Sequence, residues 1–209
     1  MNGTAMDTAL KQETAAAYDA YPERFDAAFE SHMHRYNAGH MQAFLAAVAG
    51  RQLLDIGAGP GNYASVFTAR GFQVQCGDLS RAMVELCRSK GLTADLLDLE
   101  TFEIAQRFDG IWANACLLHL RKSCVPAVLD RLARHLVPAG VLGCAVKEGE
   151  GEDMLPDVEY PGTRRFFSYF THAEFQALLE DRFTILRYER TASRTGRTVF
   201  IKYLAQVRS

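Results

Sequence analysis

The sequence predicts an α/β fold built on a parallel sheet, and three observations lead there. From Gln52 onward, short β-type runs alternate with helical ones, the pattern of strands joined by crossover helices. An apolar run ends in an acid and three glycines, "LLDIGAGPGNYA", Leu53 to Ala64, the form of a strand, a tight turn and a helix start. Near the C-terminus, FTILRYERTAS and RTVFIKYLAQV lie only a few residues apart, around Arg194-Thr195-Gly196. That gap is too short for a helical crossover, so the pair should form an antiparallel hairpin and one strand should enter the sheet reversed.

The elements follow in order. Residues from about Leu10 to Ala49 favour helix, with breaks at "YP" and near Asn37-Ala38-Gly39, and form an N-terminal helical cap, residues 1–49. The core, 50–146, carries QLLDI and a helix through NYASVFTARG, then FQVQC and a helix through SRAMVELCRSKG. LTADLL and FDGIWANA follow, then a helix around Val125 to Leu136 that ends at VPAG before the strand VLGCAVKE. Residues 147–170 hold a Gly/Glu/Asp stretch and then "EYPGTRRFFSYF", long for a passive connection and placed to be a lid or substrate loop. Residues 171–209 supply a final helix and the hairpin. The length, 209 residues, fits one domain.

Composition narrows the partners. Hydrophobic residues make up 48% and charged residues 23%, ordinary for a globular domain with a sizeable core. With 23 Lys+Arg against 25 Asp+Glu the net charge is −2, which offers no field to attract nucleic acid. No run approaches the roughly 18 apolar residues of a membrane helix, and MNGTAMDTALKQE lacks a secretory pattern, so a cytoplasmic protein without a membrane partner is expected. The five cysteines, Cys76, Cys87, Cys116, Cys124 and Cys144, show no C-x-x-C pair and read as buried reduced thiols. His32, His34 and His40 lack a convergent carboxylate, so no metal is expected.

The glycine turn carries the first chemical signal. Gly57, Gly59 and Gly61 let backbone turn tightly and approach a ligand closely. A dinucleotide fingerprint would place a small residue where Asn62 stands, and Asp55 would face pyrophosphate unfavourably; an acid there suits hydroxyls or ammonium. Asp78, after FQVQC, can accept from two neighbouring ribose hydroxyls, while Ser80 fits the N-cap of the next helix.

Taken together, LLDIGAGPGNYA, VQCGDLSRAMVEL, FDGIWANACLLHL, the helix-ending LVPAG and the tail hairpin resemble the class I S-adenosylmethionine (SAM)-dependent methyltransferases, from about Gly50 to the C-terminus. The resemblance implies a Rossmann-like, doubly wound, seven-stranded sheet with the last strand antiparallel, binding SAM at the carboxyl ends of the first four strands. It implies cofactor contacts from Asp55, Gly57, Ala58, Gly59, Gly61 and Asp78, with Leu79 and Met83 bordering the adenine. Asp95, with Leu96 beside it, would lie near the adenine amino group, although Asp98 could fill that place. Asn114 would sit beside the methionine part of the cofactor, and Tyr21 would cover it from the cap.

His119 could take a proton from an incoming hydroxyl or amine; equally it could be a helix-start histidine bonded to backbone. Because the sulfonium already activates the methyl group, the enzyme need mainly align a nucleophile and exclude water, and a base is dispensable. Aromatic faces from Tyr18, Tyr21, Phe25, Phe167 or Tyr169 could favour the sulfonium. Arg164 and Arg165, with Tyr169, form the candidate substrate side, and a guanidinium pair suggests an acidic acceptor; pairing with Glu148, Glu150 or Asp153 is the alternative.

These features together point to methyl transfer to a small molecule by a monomer or homodimer. "WANA" holds the place of the N-P-P-Y type motif of amino-group nucleic-acid methylases. An enzyme that uses SAM itself as substrate, and a non-catalytic SAM-binding protein, would keep the same cofactor motifs.

Overall fold

The computed structural model describes residues 3–193, 196 and 198–208. The chain opens with two helices, α1 (Gly3–Ala20) and α2 (Pro22–His32). Pro22 stands in the first turn of α2, where its missing N–H costs nothing, which explains the break at "YP". The second expected break, at Asn37-Ala38-Gly39, is a π-helical turn over Met33–Asn37 that leads into α3 (Ala38–Ala47).

The crossover units then follow: β1 (Gln52–Ile56), α4 (Asn62–Ala69), β2 (Gln73–Asp78), α5 (Arg81–Ser89), β3 (Thr93–Leu96) and β4 (Phe108–Asn114). Next come α6 (Val125–Arg134) and β5 (Leu136–Glu148). This strand begins earlier than the sequence suggests: Leu136 already pairs with Phe108, and the register slips between Phe108 and Gly110, close to Ala139 at φ 62°. α7 (His172–Glu180), β8 (Phe183–Ala192) and β9 (Val199–Val207) complete the chain. The turn expected around Arg194-Thr195-Gly196 falls largely outside the described residues.

The main sheet runs β3-β2-β1-β4-β5-β9-β8, seven strands in all. β1, β2, β3, β4 and β5 are parallel, and β9 enters antiparallel to β5, Val141 opposite Gln206 through Lys147 opposite Phe200. Leu53, Leu54 and Ile56 are fully buried because both faces of β1 are covered, so the strand reads as an unbroken apolar run. On one face Phe44, Phe67 and Trp112 pack together; on the other, Leu129 and Leu132 of α6 meet Phe175 and Leu179 of α7.

The stretch expected as a lid loop holds a β-hairpin, β6 (Glu152–Pro156) and β7 (Arg164–Phe170), with Met154 opposite Phe166. β7 joins the main sheet only at its end, where Tyr169 and Phe170 pair with Lys147 and Glu148. β9 already occupies one side of Lys147, and β4 pairs with β5 only as far as Ala145, so β7 takes the side that β4 vacates. The hairpin thus stands over the carboxyl end of β4. Among the described residues, no helix is long and apolar enough to cross a membrane.

Candidate active site

The carboxyl ends of β1, β2, β4 and β5 open into a cavity of about 780 Å³, covered by α1, α2 and the β6–β7 hairpin. Asp55, Gly57, Ala58, Gly59, Asp78, Leu79, Asn114, His119 and Arg165 all line it, drawn from separate stretches of sequence. The glycine turn shapes its floor. At Gly57, φ is +67° and a Cβ would stand 2.2 Å from the Cys116 Cβ, so only glycine fits. Gly61 serves packing rather than the cavity: its φ is +79°, and a Cβ would meet Leu92 at 2.6 Å.

Two carboxyl groups sit side by side and differ in their partners. Asp78 accepts the Gly59 N–H at 2.8 Å on one oxygen and the Ser80 N–H at 2.9 Å on the other, leaving further lone pairs toward the cavity. Burial still pushes its carboxyl up. Asp55 is 2% exposed, and its Oδ2 has no hydrogen-bond partner among the described residues. Burial first, and then the neighbouring Asp78, raise its pKa to about 8. Asn114 Oδ1 is likewise buried without a donor among the described residues, while its amide donates to the Tyr63 hydroxyl at 3.2 Å. Asn37 donates to the same hydroxyl at 2.7 Å. Two orphaned acceptor oxygens in one buried pocket are costly unless a ligand brings donors to them.

His119 belongs to a relay. Its Nδ1–H donates to the Phe166 carbonyl at 2.7 Å, which fixes Nε2 as the acceptor. That nitrogen takes the Tyr18 hydroxyl at 2.8 Å; Tyr18 accepts from Arg165 at 3.0 Å, and Arg165 forms an ion pair with Asp157. Burial, opposed by the Phe166 hydrogen bond and reinforced by Arg165, lowers the His119 pKa to about 3, so the ring stays neutral. Lys147, two residues beyond Ala145 on β5, also lines the cavity. Its Nζ lies 3.3 Å from the centroid of the Phe167 ring, and burial followed by repulsion from Arg165 lowers its pKa to about 8.

Other expected contacts lie elsewhere. Asp95 and Leu96 are corrected in position: the Asp95 carboxyl is half exposed beside Arg88 and Gln75, Leu96 is 44% exposed, and Leu97, Asp98 and Leu99 line the cavity in their stead. The alternation of a strand reverses faces at each residue, and the turn after β3 brings Asp98 round. There Asp98 is held by Lys11 at 2.7 Å. The same alternation separates the arginine pair. Arg165 and Phe167 face inward, whereas Arg164 points away to Glu13 at 3.6 Å. Tyr169 and Met83 do not line the cavity either; Met83 is fully buried beside Phe25 and Tyr160. Tyr21 covers the site from outside, donating to the Pro161 carbonyl at 2.8 Å.

His40 is buried against Trp112, ring centroids 5.0 Å apart, while the side chains of His32 and His34 fall outside the described residues. Sequence reasoning passed over Lys147, Tyr63, Asn37 and Asp98's neighbours Leu97 and Leu99. Of these, only Lys147 leaves a signal, a charge that, with Glu148 after it, ends the apolar run VLGCAV.

A seven-stranded sheet with one reversed strand, an acid-glycine turn at the end of β1 and an acid at the end of β2 define the class I SAM-dependent methyltransferases. The profile of the methyltransferase domain family matches residues 29–182, and the chain belongs to that family. Among solved structures it is similar to the 1,6-didemethyltoxoflavin-N1-methyltransferase of Burkholderia thailandensis, solved with 1,6-didemethyltoxoflavin and S-adenosylhomocysteine, at 23% identity and TM-score 0.65 over 90% of this chain and 91% of that one. The DhpI–S-adenosylhomocysteine complex matches at 17% identity and TM-score 0.72 over 95% and 97%. The N-methyltransferase NodS from Bradyrhizobium japonicum, also with S-adenosylhomocysteine, matches at 14% and 0.65 over 82% and 85%. The cofactor is SAM.

Proposed function

We propose that this enzyme transfers the methyl group of SAM to a small molecule enclosed between the sheet ends, the helical cap and the β6–β7 hairpin. The observation that carries the reading is the pair of orphaned oxygens, Asp55 Oδ2 and Asn114 Oδ1. Both line the cavity, and both suit the ammonium of the methionine part. In this reading Asp78 accepts from the ribose hydroxyls, the backbone of the Gly57–Gly59 turn lies against the cofactor, and Leu79, Leu97 and Leu99 flank the adenine near Asp98.

When bound, SAM supplies a methyl group already activated by positive sulfur. That methyl would pass to an in-line acceptor lone pair as the carbon–sulfur electron pair returned to sulfur, and any proton displaced from the acceptor would leave for bulk water once the product is released. The chain's part is to hold the nucleophile in line at roughly 3–3.5 Å and to exclude water. In this reading His119 positions Tyr18 against the acceptor space rather than taking a proton itself, because its Nε2 lone pair is already occupied by the Tyr18 hydroxyl.

Phe25 and Tyr160 stack at 3.9 Å between cap and hairpin, and Tyr21 and Arg24 bind the 159–161 turn, which closes the cavity over a small acceptor. Incubation with SAM alone and with pooled metabolite extracts, followed by mass spectrometry, tests the reading. S-adenosylhomocysteine should appear only with extract, beside a product heavier by one methylene. Methylthioadenosine formed without extract, above spontaneous breakdown, would make SAM the sole substrate.

A further inference from the structure

The inner wall of the cavity holds two cations around one ring. Lys147 Nζ lies 3.3 Å and Arg165 Cζ 5.2 Å from the Phe167 centroid. Their situations differ: Arg165 is neutralised by Asp157 and bonded to Tyr18, while Lys147 has no ion pair among the described residues. Asp157, the acid whose field favours the Lys147 ammonium, is already engaged by Arg165, and Glu148 turns to Arg190 at 2.6 Å. A cation kept beside another cation in a partly dry pocket is costly unless a ligand anion comes to it.

The sheet register says where that anion would sit. Asn114 on β4 lies opposite Ala145 on β5, and both line the cavity. Lys147 shares the face of Ala145 one pleat further out, about 7 Å beyond the level of Asn114. It therefore stands above the position assigned to the methionine part, on the side where an acceptor must approach. The walls around it are aromatic: Tyr18, Phe25, Tyr160 and Phe167.

We propose that Lys147 is the specificity-determining residue of the acceptor subsite, and that the acceptor is a planar molecule carrying an anionic oxygen, held by the Lys147 ammonium against the aromatic wall. Neither arginine of the "TRR" stretch fills this role, since Arg164 faces outward and Arg165 is already paired. The proposal rests on the methyl-transfer reading.

The test uses the whole protein loaded with S-adenosylhomocysteine and titrated with 2-naphthoate and its neutral amide, 2-naphthamide, by calorimetry and ligand-observed NMR. Wild type should bind the carboxylate at least fivefold more tightly than the amide. Lys147→Met, which removes the charge and keeps an apolar stem, should erase that preference while S-adenosylhomocysteine affinity stays within twofold. A preference that survives in Lys147→Met overturns the proposal, as does a wild type that shows no preference or fails to bind naphthoate at 10 mM. A parallel loss of S-adenosylhomocysteine affinity also overturns it, because Lys147 would then serve the cofactor's own carboxylate. Failure of wild type to bind S-adenosylhomocysteine at all would instead strike the methyl-transfer reading itself.

Discussion

Replacing Asp55 by asparagine should stabilise the ligand-free protein and weaken its hold on the cofactor at once. Asp55 is buried beside Asp78 with one oxygen unpartnered, and its pKa rises from 3.8 to about 8. Below pH 3.8 the folded and unfolded chains both hold the proton and the residue is neutral in its effect. As pH rises further, the unfolded chain releases the proton while the fold retains it, so stability falls by about 1.4 kcal/mol per pH unit until the folded pKa is passed near 8. Some 3 units separate 3.8 from pH 7, which sets a ceiling of about 4 kcal/mol. Relaxation and water entry around the charge reduce it, and we expect about 2 kcal/mol, or about 4–8 °C in Tm for a chain of this size. The assay is thermal unfolding of ligand-free wild type and Asp55→Asn at pH 5, 7 and 9, with S-adenosylhomocysteine calorimetry at pH 7. The variant's advantage should grow from pH 5 to about 8 and then level off, while its affinity drops at least tenfold. An advantage independent of pH would refute the account of the buried carboxyl, and an unchanged affinity would refute its role toward the ammonium.

Asp78→Ala should lower S-adenosylhomocysteine affinity about a hundredfold or more by calorimetry while the far-UV circular dichroism is kept, if its remaining lone pairs accept from the ribose as proposed. The two arginines should behave oppositely in thermal unfolding: Arg165→Ala strands Asp157 and Tyr18 and should cost about 2–4 kcal/mol, whereas exposed Arg164→Ala should cost less than about 0.5 kcal/mol. Tyr18→Phe leaves His119 Nε2 buried without a donor and should cost about 1–3 kcal/mol, with the acceptor's KM raised more than that of SAM. Burial pushes the Cys116 thiol well up, so peptide mapping after native iodoacetamide treatment should find Cys116 unmodified and modification confined to the partly exposed Cys124.

Much of the fold was legible because its signals are local. The run QLLDI, the acid-glycine turn and the short gap before RTVFIKYLAQV each state a strand, a tight turn or a reversed strand within a dozen residues. The lid stretch was harder. "RRFFSYF" has mixed polarity on both faces because β7 buries Phe166, Ser168 and Phe170 on one side while Arg165 and Phe167 face the cavity on the other. Period-2 alternation was therefore masked, and the two arginines read as a pair when a strand must separate them.

That Asp55, the glycine turn and Asp78 lie together on the cavity was foreshadowed in the sequence, because the turn after β1 and the acid after β2 are set by backbone geometry within one crossover unit. Asp95 against Asp98 was undecidable there, since the choice depends on which face the end of β3 turns to the cavity. The placement of Lys147 on the cavity wall, the Tyr18–His119 relay and the orphaned oxygens of Asp55 and Asn114 are decided by tertiary structure. Tyr18 lies 101 residues from His119 and 147 from Arg165. Sequence determines what each segment becomes through interactions within a few residues; burial and partnering arise only when distant segments pack, and those decide which charges are silent and which still await a ligand.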